Sequence, residues 1–129
     1  NIAGAYPQEA GIQTWKRGVK LLKQKHQIEI NDDFVLSQNP QSLQQVLMTI
    51  CQVDTSKAGQ IIFTNDDTQL VATYDPNLFS VSTDMPSTEG MEYDSFKTKW
   101  GKKLVTRILL THKKPNTKGK YQLKFEGSK

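Results

Sequence analysis

KTKWGKKLVTRILLTHKKPNTKGKYQLKFEGSK, residues 97–129, sets the fold expected of this chain. Leu104, Thr106, Ile108 and Leu110 alternate with Val105, Arg107 and Leu109, and both sets are strand formers. A strand apolar on both faces belongs inside a sheet rather than at its edge. Further on, Tyr121, Leu123 and Phe125 alternate with Lys120, Gln122 and Lys124, the pattern of a half-buried strand with a solvated basic face. Between the two runs lies Pro115-Asn116-Thr117-Lys118-Gly119. Proline fixes φ there and Asn and Gly accept positive φ, so the segment reads as a turn. The two runs are therefore expected to pair as a β-hairpin whose tip carries Lys113, Lys114, Lys118 and Lys120. Lysines at such a tip either keep a sheet edge soluble or bind an anion.

Upstream, three segments carry helical spacing. In residues 8–26, Ile12, Trp15, Val19 and Leu22 recur at steps of three and four, which predicts an amphipathic helix with Lys16, Arg17, Lys20 and Lys23 on its polar side. Residues 40–52 begin with Asn39 and Pro40, a capping pair, and continue with Leu43, Val46, Leu47 and Ile50. This second predicted helix has no charged residue, which suits a surface packed on another element or on a partner. Residues 91–100 place Tyr93, Phe96 and Trp100 on one face ahead of Gly101, a helix with a C-terminal stop. Between these, residues 27–30 and 34–36 read as short strands around a turn at Asn31-Asp32-Asp33. Residues 60–63 and 69–74 read as a hairpin around Thr64-Asn65-Asp66-Asp67-Thr68, and residues 78–81 as another short strand before a loop at 82–90. The expected order is α-β-β-α-β-β-β-α-β-β. The expected class is α+β, a mostly antiparallel sheet with two or three helices packed on it.

The 129 residues suit one compact α+β domain, spanning residues 1–129, and the chain opens on Asn rather than Met, as a piece of a larger or processed protein would. Apolar residues at 36% and charged ones at 23% exclude a disordered chain, and no apolar run is long enough to span a bilayer. The single cysteine, Cys51, excludes an internal disulfide and leaves the compartment open. Charge is segregated. Residues 1–30 hold five Lys/Arg against two acids, net +3. Residues 31–95 hold one Lys against ten acids, net −9, and residues 96–129 hold eleven Lys/Arg against one acid, net +10. The basic ends either form one surface or neutralise the acidic middle.

Motifs with chemistry are scarce. The isolated glycines form no phosphate loop, and there is no HExxH, CxxC or GxSxG. The paired aspartates lack the spacing of a calcium loop, so no metal and no cofactor is expected. His26 and His112, each beside lysine, could act as base and acid of a metal-independent ribonuclease if the fold brought them together. The leading expectation is a non-enzymatic protein–protein interaction or assembly domain, touching its partner through 40–52 or 82–94. The alternative is a nucleic-acid-binding module that sets Lys16, Arg17, Lys20, Lys23, Lys113, Lys114, Lys118, Lys120 and Lys124 on phosphates. A membrane-surface role would need the Ile12/Trp15/Val19 stripe exposed.

Overall fold

A computed structural model describes residues 1–87, 89–90, 94–101 and 104–127. Residues 12–36 form one long antiparallel hairpin, β1 (Ile12–Leu22) and β2 (Gln27–Leu36). Its turn is a single 3-10 turn, Lys23–Lys25, closed by His26 in the left-handed region at φ 49°. The α-helix predicted over 8–26 is therefore absent: a strand fills 12–22, with 3-10 turns at Gln8–Ala10 and Lys23–Lys25. The strand's inward positions are Trp15, Arg17, Val19 and Leu21, alternating with Lys16, Gly18, Lys20 and Leu22. Period two was hidden because a charged residue, Arg17, holds an inward place. β2 corrects a second expectation for the same reason. Asn31-Asp32-Asp33 is mid-strand, and Asp32 points inward in line with Ile28, Ile30, Phe34 and Leu36.

The uncharged segment 40–52 also folds as strands, β3 (Gln44–Thr49) and β4 (Gln52–Asp54), joined by a corner at Ile50 and Cys51. Gln45 and Leu47 face inward while Val46 and Met48 face out. The hairpin expected in the middle of the chain is present as β5 (Gln60–Asn65) and β6 (Thr68–Thr73). Its two-residue turn holds Asp66 at φ 51°, a conformation Asp tolerates better than most side chains. β7 (Phe79–Asp84) runs further than expected, into the 82–90 loop. A two-pronged bond from Arg107 to Asp84, 2.8 and 2.5 Å, secures its end. The α-helix α1 (Asp94–Trp100) is short, and residues 91–93 of the predicted helix lie outside the described residues.

β8 (Thr106–His112) and β9 (Lys118–Gly127) are strands, as their patterns predict, but they do not pair with each other. β8 lies between β3 and β7 in a three-stranded sheet, whereas β9 lies between β2 and β6 in a six-stranded sheet ordered β1-β2-β9-β6-β5-β4. The segment 113–117 is an arch between stacked sheets, which lie roughly 10 Å apart. Leu36 N–H donates to Thr117 O at 2.7 Å and ties the arch to the larger sheet. Every pairing among the described residues is antiparallel. The result is a mostly β fold of two sheets, not an α+β layer of helices on one sheet. The helices expected over 8–26 and 40–52 would have needed polar side chains outside, yet Arg17 and Gln45 are the residues that turn in.

Phe79, Ile61, Ile108 and Leu110 are wholly buried between the sheets, and Trp15 stacks on Phe34 with ring centroids 5.0 Å apart. β3 crosses the larger sheet obliquely. At one end Gln45 reaches Arg17 of β1, and at the other Leu47 and Met48 share a hollow with Phe125 of β9 and Phe63 of β5. Gly119 on β9 lies under the Phe34 ring, where a Cβ would come within 2.6 Å of Cζ. Phe34 is buried and has no room to yield. Gly119→Ala is expected to destabilise the fold by about 1–3 kcal/mol, as overpacking does. Urea unfolding should show a lower midpoint with an unchanged slope.

Candidate functional site

The most concentrated chemistry lies inside the sandwich, around Asp32. Its residue is 2% exposed, and its carboxylate takes donors from three other side chains. Trp15 Nε1 donates to Oδ2 at 2.9 Å, Arg17 donates through Nε at 2.8 Å and Nη2 at 2.6 Å, and the Tyr121 hydroxyl also donates to Oδ2. Register explains the gathering. Arg17 is opposite Asp32 on β1, and Tyr121 is opposite Asp32 on β9. From the second sheet, Gln45 Oε1 accepts from Arg17 Nη2 at 3.4 Å. His112, at the end of β8, sits in an aromatic cage, with Phe79, Tyr121 and Phe34 centroids at 4.5, 5.6 and 5.8 Å. Among the described residues, Gln45 Nε2 and His112 Nε2 are buried without a hydrogen-bond partner.

The electrostatics follow from burial and these bonds. Burial pushes the Asp32 carboxyl up, but bonds from Arg17, Tyr121 and Trp15 outweigh it and hold it below its ordinary range. The bond to Asp32 raises Arg17, and burial followed by the same carboxylate raises Tyr121, so both stay protonated. Burial lowers His112 and keeps its ring neutral near pH 7. Asp32, Arg17 and Tyr121 are thus bonded to one another in their ordinary charge states.

Of the residues picked as phosphate contacts, Arg17 is the one turned inward. Lys16, Lys20, Lys120 and Lys124 lie on the outer face of the large sheet, where pairing forms the rows Lys16–Asp33–Lys120 and Lys20–Glu29–Lys124. Each row sets an acid between two lysines, and Lys120 Nζ is 3.3 Å from Asp33 Oδ2. Lys118 is exposed at the start of β9, Lys113 and Lys114 on the arch, and Lys23 in the β1–β2 turn. The nine do not converge on one surface. His26 is in that turn, while His112 packs on Phe34 at the opposite end of β2. Eight residue steps along β2, roughly 25 Å at about 3.3 Å each, separate the two places.

Of the surface depressions, two adjoin β9. β6 covers β9 only from 124 to 127, and a cleft of about 770 Å³ opens beside the rest, walled by Asp32, Asp33, Tyr74, Asp75, Lys120 and Tyr121. The second was not legible in the sequence. It is an apolar hollow of about 310 Å³ between Leu47, Met48 and Cys51 on one side and Phe63, Leu70 and Phe125 on the other. It continues into a corner of the large sheet that β3 stops short of covering. There Val19 is 66% exposed, Leu21 58% and Ile28 40%, although all three occupy inward positions.

Among the described residues, no group of three or more His, Cys, Asp or Glu could hold a metal ion, and no helix is long and apolar enough to cross a membrane. No protein-family model and no curated protein matches this chain.

Linkage gives the pH behaviour. His112 has a folded pKa below its ordinary value of 6.5, so its neutral burial stabilises the fold above that pH. That contribution is lost as pH falls from 6.5 through the folded value. Asp32 lies below 3.8, so its contribution persists above that pH and is lost further into acid. Stability measured against pH should therefore decline in two stages. His112→Phe should flatten the first, and Arg17→Met should move the second to higher pH.

Proposed function

We propose that this chain is a non-enzymatic protein-interaction or assembly domain. The supporting observation is the uncovered apolar corner. A sheet normally hides its inward side chains, and apolar clusters left in water mark interaction sites. Here Val19, Leu21 and Ile28 are left open by a second sheet of half the strand number, and Val46 and Met48 are exposed on the outer face of β3. The buried polar cluster agrees with this reading, because Asp32 is bonded by Trp15, Arg17 and Tyr121 and its carboxylate is held as a structural charge.

A second reading, nucleic-acid binding, draws support from the outer face of β1, β2 and β9. Lys16, Lys20, Lys120 and Lys124 outnumber Asp33 and Glu29 there. The interleaved acids weaken any phosphate track, so protein binding is the stronger reading.

A photo-crosslinking residue placed at Leu21 should capture discrete polypeptides in an extract of the source cells, and the same residue at exposed Asn77 should not. Indistinguishable products at the two positions would sink the reading. Fluorescent single-stranded and duplex DNA at two salt concentrations test the alternative. Phosphate binding would show a steep salt slope that reversing the four outer lysines to glutamate removes.

A further inference from the structure

We infer that the free edge of β3 accepts an extended segment of another protein, which adds to the three-stranded sheet as a fourth strand and roofs the exposed corner. This deepens the protein-interaction reading and rests on it.

β3 is six residues long and, among the described residues, pairs on one side only, with β8. Its other side offers unpaired N–H and C=O groups, a template for strand addition. Beneath that side lies a floor of inward-facing side chains, one from each of four neighbouring strands. Leu21 of β1, Ile28 of β2 and Phe125 of β9 are in register, and Leu70 of β6 follows. Four strands at about 4.8 Å spacing span roughly 15 Å, which five residues of extended chain cover. That is close to the length of β3 itself. The apolar hollow at the far end of the floor, bounded by Leu47, Met48, Leu70 and Phe125, is a socket for one large side chain of the guest.

The guest's chemistry follows from what surrounds it. Downward side chains would meet Leu21, Ile28 and Phe125, and upward ones would lie beside Val46 and Met48, both exposed. The segment is therefore apolar on both faces, unlike an ordinary edge strand. β3 itself has no charge, so a paired neighbour buries none. Over β1 the floor ends at the turn carrying Lys23 and Lys25, so acidic residues belong at that end of the guest. Pairing antiparallel to β3, as every other pair here does, makes it the guest's C-terminal end. A second copy is the poorer occupant. Docking β3 on β3 would bring its own overhanging corner of the large sheet into the space the first already fills.

The test begins with a displayed library of random 12-residue peptides selected on the folded chain. Binders to a Val19→Ser, Leu21→Ser, Ile28→Ser variant are removed. Enriched peptides should hold about five consecutive strand-forming apolar residues followed by Asp or Glu. Each is then synthesised with backbone N-methyl groups on odd or on even residues. A strand shows alternate amides to its partner, so one set should weaken binding at least tenfold and the other little. Peptides that tolerate both sets equally would overturn strand addition, as would no enrichment over the variant. Dimerisation that the three serines abolish would give the corner to a second copy and also overturn it. In any of these cases, partner capture at Leu21 but not Asn77 would leave the broader interaction reading standing.

Discussion

A carboxylate cut off from water orders this protein. Placing a charge inside a fold costs several kcal/mol unless partners and hydrogen bonds compensate. Asp32 receives them from both flanking strands, Trp15 and Arg17 on β1 and Tyr121 on β9. A slip of one residue in either pairing would turn Asp32 to the outer face and strand its donors. The carboxylate therefore specifies the register of three strands, and through Arg17 and Gln45 it also reaches the second sheet. The aromatic cage of Phe34, Phe79, Tyr121 and His112 closes over the same place. Polar and aromatic packing are concentrated at one end of the sandwich.

The other end is built differently. The sheets are unequal, six strands against three, and β3 crosses the larger one obliquely. A small sheet set at an angle covers one diagonal half of a large one. The cluster around Asp32 lies under the covered half, and Val19, Leu21 and Ile28 lie beyond it. The same obliquity thus produces a closely packed interior and an apolar margin beside one edge of β3. On the proposed interaction reading, a packed support beside an open edge would lose little ordering entropy on the receiving side.

Three segments misread from sequence share one cause. Arg17, Asp32 and Gln45 each occupy an inward position in β1, β2 and β3, and each interrupts the alternation that marks a strand. Where Arg17 broke period two, the remaining apolar residues matched period 3.6. Where Asp32 broke it, a strand looked like a turn. Gln45 left Leu43, Val46 and Leu47 to imitate a helical stripe. These three residues belong to a single hydrogen-bonded cluster, so the fold's own specificity device masked its secondary structure. The candidate site was legible only as the absence of charge between 40 and 52. That the segment is a strand, and that its edge is free, depends on what lies beside it.

By itself the sequence determined what near neighbours decide. The turn at Asp66-Asp67, the strands β5, β6, β8 and β9, the central place of β8 and the segregated charge were all readable from local pattern. Only the tertiary structure decided which strands pair, that 113–117 is an arch rather than a hairpin turn, and that lysines and acids interleave on the outer face. It also decided that Val19, Leu21 and Ile28, core residues by position, stand in water. The physical reason is separation along the chain. The groups that make Asp32 tolerable come from residues up to 89 positions away. A buried charge is favourable only once all of them have met.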